Sequence, residues 1–412
     1  MTVEISCLPN GLRIVSEARL DLETVSVGIW TDVGARHESK NLNGVSHFLE
    51  HMLFKGTKSR SAKDIVLDIE SVGGQMNAYT TRDNTTFYAR VLKNDMNLAL
   101  DVLSDMVLNS VCDPKEIERE KDVILQEIGQ ALDTPDDVVF DHLQKVAYAD
   151  QAIARPILGE PETIKLFQQD DLLGYLRQNY TGANMVVSAV GNLDHKQLVA
   201  TVEANLGGLP AGIRQKSTGA QYHGGRQVEQ RELEQIHVAA AWPGYSYHDN
   251  EYYALQVYSM ILGGGMSSRL FQEIREERGL AYSVYSFCSS HNDTGLFGIY
   301  AGTGPKLVGE LAPVIKAEME NLAKGPEAME FKVATAQLKA SLMMALEATT
   351  SRMEQLGRQL LVFDRIIPIS EMLANVDKVT PKDVERIAET FAKSNAASIA
   401  IVGGGDFDSV QF

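Results

Sequence analysis

Gly44-Val45-Ser46-His47-Phe48-Leu49-Glu50-His51-Met52-Leu53-Phe54-Lys55-Gly56 reads as a helix between two glycines. Val45, Phe48, Leu49, Met52 and Leu53 recur at helical spacing and predict one apolar face. His47 and His51 are four residues apart, one turn, so their imidazoles share a side of the helix. Glu50, three residues after His47, falls on that side too. Two imidazoles one turn apart can hold a single metal ion, and a carboxylate beside them can take a proton from a water on that metal. The order His-x-x-Glu-His inverts the helix-borne zinc motif His-Glu-x-x-His. A single histidine here would read as a core residue satisfied by backbone. The triplet, joined by a third ligand from elsewhere, reads as a metal site.

Before this helix, Leu12 to Val15 and Val25 to Val33 alternate apolar and polar, as strands do. After it, Ser61-Ala62-Lys63-Asp64 opens a helix that Gly73-Gly74 stops. Gln75 to Thr81 and Thr85 to Val91 predict a hairpin turning at Arg82-Asp83-Asn84. Leu98 to Leu108, Pro114 to Gly129, Val138 to Tyr148 and Asp171 to Tyr180 read as helices, and Met185 to Val190 as a short buried strand. Residues 207–225 are rich in turn formers, lack apolar periodicity and read as an exposed linker.

The second half repeats the first. Leu233 to Trp242 matches the strand ending at Trp30, and a helix over Asp249 to Leu262 takes the place of the His-bearing helix. Asp171, Tyr180, Asn184 and Gly191 have counterparts in Asp383, Phe391, Asn395 and Gly403. A shared period of half the chain means one domain duplicated and diverged. The expected fold is α+β: two homologous α/β sandwiches, each a mostly antiparallel sheet with helices on one face. The expected boundaries are a metal-binding domain over 1–206, the linker over 207–225 and a second domain over 226–412. In the second copy the motif position reads Tyr258-Ser259-Met260-Ile261-Leu262, so only the first copy can bind metal there.

A chain of 412 residues calls for more than one core. The net charge of −17 argues against a nucleic-acid partner. No apolar run is long enough to span a membrane. The N-terminus enters an alternating strand directly, with no signal or transit segment, so a cytoplasmic location is expected, or the mitochondrial matrix for a trimmed mature chain. Cys7, Cys112 and Cys288 are few, odd in number and far apart, which suits reduced core residues. The glycines at 263–265 lack the Gly-Lys-Ser/Thr of a phosphate loop, so nucleotide binding is not expected.

A catalytic zinc site wants three protein ligands. The acidic helix Glu116 to Ile128 offers Glu120 and Glu127, two turns apart and facing the same way. One could bind the metal while the other orients a ligand, and spacing does not choose between them. Here the chain resembles the pitrilysin-type inverted zinc peptidases, which include insulin-degrading enzyme and the mitochondrial processing peptidase. The resemblance implies Glu127 as the third ligand of one zinc ion per chain, with Glu120 supporting from behind. Gly73-Gly74 followed by Asn77-Ala78-Tyr79-Thr80 resembles the family's substrate-binding edge strand. Arg275 and Tyr282, seven apart, resemble its second-half motif, which reaches the substrate at the zinc.

The resemblance implies a zinc metalloendopeptidase of the short-subunit branch; the residues themselves offer Glu50 as general base and Tyr282, Arg275 or both as donors to the oxyanion. The expected substrate is a peptide or unfolded polypeptide. The expected assembly is a homodimer or a dimer with a paralogous subunit. The competing expectation, a non-catalytic peptide-binding or assembly subunit of the same family, leaves His47, Glu50, His51 and Glu127 without a task.

Overall fold

The computed structural model describes residues 2–214 and 219–412. It contains two sheets. The first has strands β1 (Val3–Cys7), β2 (Arg13–Ala18), β3 (Thr24–Thr31), β4 (Gln75–Thr80), β5 (Thr85–Leu92) and β6 (Met185–Gly191), in the order β1-β2-β6-β3-β5-β4. The second has β7 (Gly225–Gln230), β8 (Ile236–Pro243), β9 (Ala281–Ser290), β10 (Gly295–Thr303) and β11 (Ser398–Gly403), in the order β7-β11-β8-β10-β9. Apart from β1, the two orders are the same. Each sheet has one parallel pair in the same place, β2 with β6 and β7 with β11; the other pairs are antiparallel.

The duplication extends to the details that end and start elements. Asp171 and Asp383 both sit at the third position of a helix and accept the backbone N–H of Gln168 and Thr380 at 2.9 Å. β6 and β11 both end on a glycine, Gly191 and Gly403. The α+β fold expected from the sequence is therefore the fold observed.

One feature goes beyond that expectation. Helices cover both faces of each sheet. In β3, Val25, Val27 and Ile29 point into the main core, while Trp30 points the other way, into a cluster with Met353, Leu356 and Leu360. Those partners belong to the helix Thr349–Phe363, from the second half of the sequence. It approaches closely because of Gly357, where a Cβ would lie 2.7 Å from the Trp30 ring. The helix is also tied down polarly. Arg352 pairs with Glu17 at 2.8 Å, both nearly buried, and Ser188 donates to the Met353 carbonyl.

The second sheet does the reverse. Ala239, Ala241, Ala400 and Val402 pack on Val139, Leu143 and Ala147 of the helix Pro135–Tyr148, which comes from the first half. The compact units therefore cross the sequence halves. The first comprises Met1–Gly129, Arg155–Ser217 and Met344–Ile366; the second comprises Gln130–Ala154, Thr218–Met343 and Ile367–Phe412.

Within the stretch 207–225 read as a linker, residues 215–218 lie outside the described residues. The part before them is anchored. Gly182 and Ala183 donate backbone N–H groups to Pro210 and Ala211 at 2.9 Å, and Arg214 pairs with Asp32 and Asp364. Cys112 is buried as expected, but Cys7 is exposed at the end of the outermost strand. Among the described residues no helix is long and apolar enough to cross a membrane.

Candidate metal centre

The His-bearing segment forms helix α1 (Val45–Leu53). Its start is set from a distance. Gly44 precedes it at φ +94° and has no side chain with which to cap it. The buried Glu38 carboxylate does so instead, accepting the backbone N–H of Gly44 at 2.7 Å and of Ser46 at 2.8 Å. A negative charge also suits the positive end of the helix dipole. Val45, Phe48, Leu49, Met52 and Leu53 are fully buried in the main core, which fixes the rotation of the helix about its axis.

Helix α4 (Pro114–Leu132, the fourth helix in the chain) brings Glu120 and Glu127 to this polar side. His47 Nε2 lies 3.6 Å from Glu127 Oε2, and His51 Nε2 lies 3.5 Å from the same oxygen. One donor atom from each of the three residues lies within 4.8 Å of the others. The separations are too long for hydrogen bonds. They match donors sharing an ion, since two ligands about 2.0–2.1 Å from a tetrahedral zinc stand roughly 3.3 Å apart. Two imidazole nitrogens and one carboxylate oxygen are also the donor types that zinc takes. The residues fit the metal that the sequence called for.

At His47, protonation supports the same arrangement. Burial, with the neighbouring His51 adding to it, pushes the His47 imidazole down to about 3, so His47 is neutral and keeps a lone pair for a ligand. His51 Nδ1 lies 3.0 Å from Glu120 Oε2, which leaves Nε2 facing Glu127. Burial works against an ionised Glu120, but hydrogen bonds from His51 and Lys55 outweigh it and hold the carboxyl below its usual range. Lys55 Nζ sits 2.6 Å from Glu120 Oε1. Glu127 faces both histidines, and Glu120 stands behind His51.

Glu50 is half-buried beside this group, and burial raises its carboxyl above the ordinary carboxylate range. The Thr80 hydroxyl donates to Glu50 Oε2 at 2.6 Å. Thr80 closes β4, the edge strand of the first sheet, on which Asn77, Ala78 and Tyr79 also lie. The Ala78 N–H is bonded to the Asn77 side chain at 2.9 Å, so it faces the open edge of the sheet. Sequence reasoning placed Thr80 among the substrate-binding residues and missed its bond to Glu50. Lys55 and Glu38 were missed as well. Glu38 is seven residues before the first residue of the helix that it caps, where no capping pattern would look for it.

Arg275 and Tyr282 belong to the second unit. Arg275 lies on a π-helical turn, Phe271–Glu277, and Tyr282 is the second residue of β9. The Arg275 guanidinium sits 4.5 Å from the Tyr282 ring centre and 4.8 Å from that of Phe271. Tyr282 is 72% exposed. Two histidines outside this cluster have ordinary partners: His195 bridges Ser6 and Ser16, and His142 pairs with Glu229.

Comparison with known proteins adds four findings. Residues 13–161 match the insulinase family, peptidase family M16, and residues 167–338 match the M16 inactive domain. The chain is 39% identical to an uncharacterised zinc protease of Streptomyces coelicolor, covering 98% of this chain and 90% of that one. It is 37% identical to the beta subunit of the mitochondrial-processing peptidase of Blastocladiella emersonii, covering 97% of this chain and 88% of that one. Its fold matches the crystal structure of a protease from Helicobacter pylori with a TM-score of 0.91, at 20% identity, over 98% of this chain and 99% of that one.

Proposed function

This chain belongs to the insulinase family, peptidase family M16, and on that premise we propose that it is a zinc metalloendopeptidase cutting peptides or unfolded segments. The observation that carries the reading is the convergence of His47 Nε2, His51 Nε2 and Glu127 Oε2 beside Glu50. These three residues would hold one zinc ion per chain. Zinc, when bound, supplies Lewis acidity toward the attacking water and the peptide carbonyl.

The rest is the work of the chain. Glu50 accepts a proton from the attacking water and passes it to the departing amine nitrogen, a task that suits a carboxyl raised by burial. Glu120 holds His51 in one tautomer and orientation. The free edge of β4 pairs with an extended peptide through main-chain groups such as the Ala78 N–H, which favours unfolded substrates over particular side chains. Arg275 and Tyr282 donate to the developing oxyanion.

The test is a metal assay and cleavage of an unstructured peptide by purified protein, with and without a chelator. Zinc at one per chain and chelator-sensitive cutting are expected. Peptide binding without cleavage would replace the enzyme with the non-catalytic subunit considered above.

The assembly reading is a homodimer in which Arg275 and Tyr282 of one copy serve the zinc of the other. Mixing inactive Glu50→Gln and Tyr282→Phe proteins tests it. Shared sites regain activity in mixed dimers, and no recovery with mixed dimers verified sinks the sharing.

A further inference from the structure

We propose that the Thr80 hydroxyl is a positioning group for the Glu50 carboxylate, so that the strand that docks the peptide also aims the base that acts on it. This rests on the peptidase reading above. The geometry begins with strand parity. Successive side chains of β4 point to opposite faces. Met76 and Ala78 pack against the core that contains Phe48, Leu49 and Met52 of α1. Thr80, two residues further on, therefore faces α1 as well. Tyr79 faces the other way, its ring 6.3 Å from that of Tyr88. Pairing with β5 fixes this register, from Gln75 opposite Arg90 to Thr80 opposite Thr85.

The hydroxyl reaches Glu50 Oε2 at 2.6 Å, a short bond to a charged acceptor. Threonine is suited to this work because its branched Cβ restricts χ1, whereas glutamate is free about three torsions. Among the described residues, no hydrogen bond engages the other Glu50 oxygen, Oε1. One oxygen is thus held and the other is left for the proton. A peptide pairing with β4 straightens and steadies the strand that carries this hold, which links substrate docking to the placement of the base.

Thr80→Val keeps the shape and removes the hydroxyl, while Thr80→Ser keeps the hydroxyl. With zinc-loaded protein and an unstructured peptide, Thr80→Val should lower kcat by about 10- to 100-fold and change KM by less than about twofold. Zinc content and melting temperature should stay at wild-type values, and Thr80→Ser should recover most of the rate. A crystal structure of Thr80→Val should show the Glu50 carboxylate turned away from its wild-type position. Raised KM at normal kcat would make Thr80 a substrate contact only and overturn the assignment. Lost zinc, a large drop in melting temperature or unchanged kinetics would also overturn it. A wild-type protein that cuts no peptide sinks the peptidase reading instead. The Thr80 assignment then stands or falls on the Glu50 position in the crystal.

Discussion

In the first unit, the helix beside the edge strand carries His47, Glu50 and His51 on its polar side, with two glutamates of another helix facing them. In the second unit, the helix Tyr252–Gly263 takes the same place in the same strand order. Its corresponding positions hold Tyr258, Ile261 and Leu262, all buried. Tyr258 packs its ring 5.0 Å from Phe297 and 5.4 Å from Phe391. One scaffold thus holds a polar cluster in one copy and ordinary core in the other. The candidate metal site is an addition to the fold and not part of what makes the sheet and helices pack.

The largest effect that would sharpen this contrast is chemical. His47→Ala or His51→Ala should strip the zinc and all measurable cleavage. Glu50→Gln should keep the zinc and lose about 10²- to 10⁴-fold in turnover, because an amide cannot accept the proton. Near-normal cleavage by Glu50→Gln would break the comparison at its centre. Retention of zinc by Glu127→Gln with its loss in Glu120→Gln would reverse the ligand assignment.

The next effect is on stability, and it runs the other way between the units. Tyr258→Ala leaves a hole in a packed aromatic cluster and should cost about 3–5 kcal/mol of folding free energy, with zinc content unchanged. His47→Ala, measured on metal-free protein, should shift stability by no more than about 1 kcal/mol, since it removes a buried imidazole whose Nδ1 lacks a hydrogen-bond partner. Denaturant melts of both variants test the pair. Equal losses would mean that the polar cluster supports its unit as much as the apolar one does.

The smallest effect concerns the edge strand. Ala78→Pro removes an N–H that faces the open edge, so pairing with β5 survives. Peptide affinity should fall about five- to tenfold, the worth of one main-chain hydrogen bond, with zinc retained. Unchanged affinity would place the peptide elsewhere.

The sequence revealed the histidines and Glu50 because they lie within two turns of one helix, where spacing alone sets geometry. It did not separate Glu120 from Glu127. Both point the same way, and what divides them is how α4 lies across α1. That placement buries the Glu120 side chain to 4% exposure under His51 and leaves Glu127 at 41%. The duplication was legible in matched helix caps and terminal glycines, which local chemistry dictates. The exchange of helices was not. The periodicity of Val138 to Tyr148 shows which face of that helix is apolar, but not which sheet will receive it. β7 also went unread, because Gly225 to Gln230 is a polar outer strand with no apolar alternation. The same blindness hid the bond from Thr80 to Glu50, thirty residues apart in the chain.

The helix Thr349–Phe363 has a consequence for how the protein is made. A ribosome delivers the chain from its N-terminus, and the strands around Trp30 emerge early. The helix that shields Trp30 emerges only after nearly all of the rest, a delay of some tens of seconds, roughly 15 to 65 s, at ordinary elongation rates. Until then one face of the first sheet is bare, and the proposed zinc ligands sit on a scaffold that is not yet closed. A nascent chain released at 214 should therefore bind a hydrophobic dye and cling to chaperones, whereas the full chain should not. The half of the gene that encodes the candidate metal site is written first, but it is the second half that finishes it.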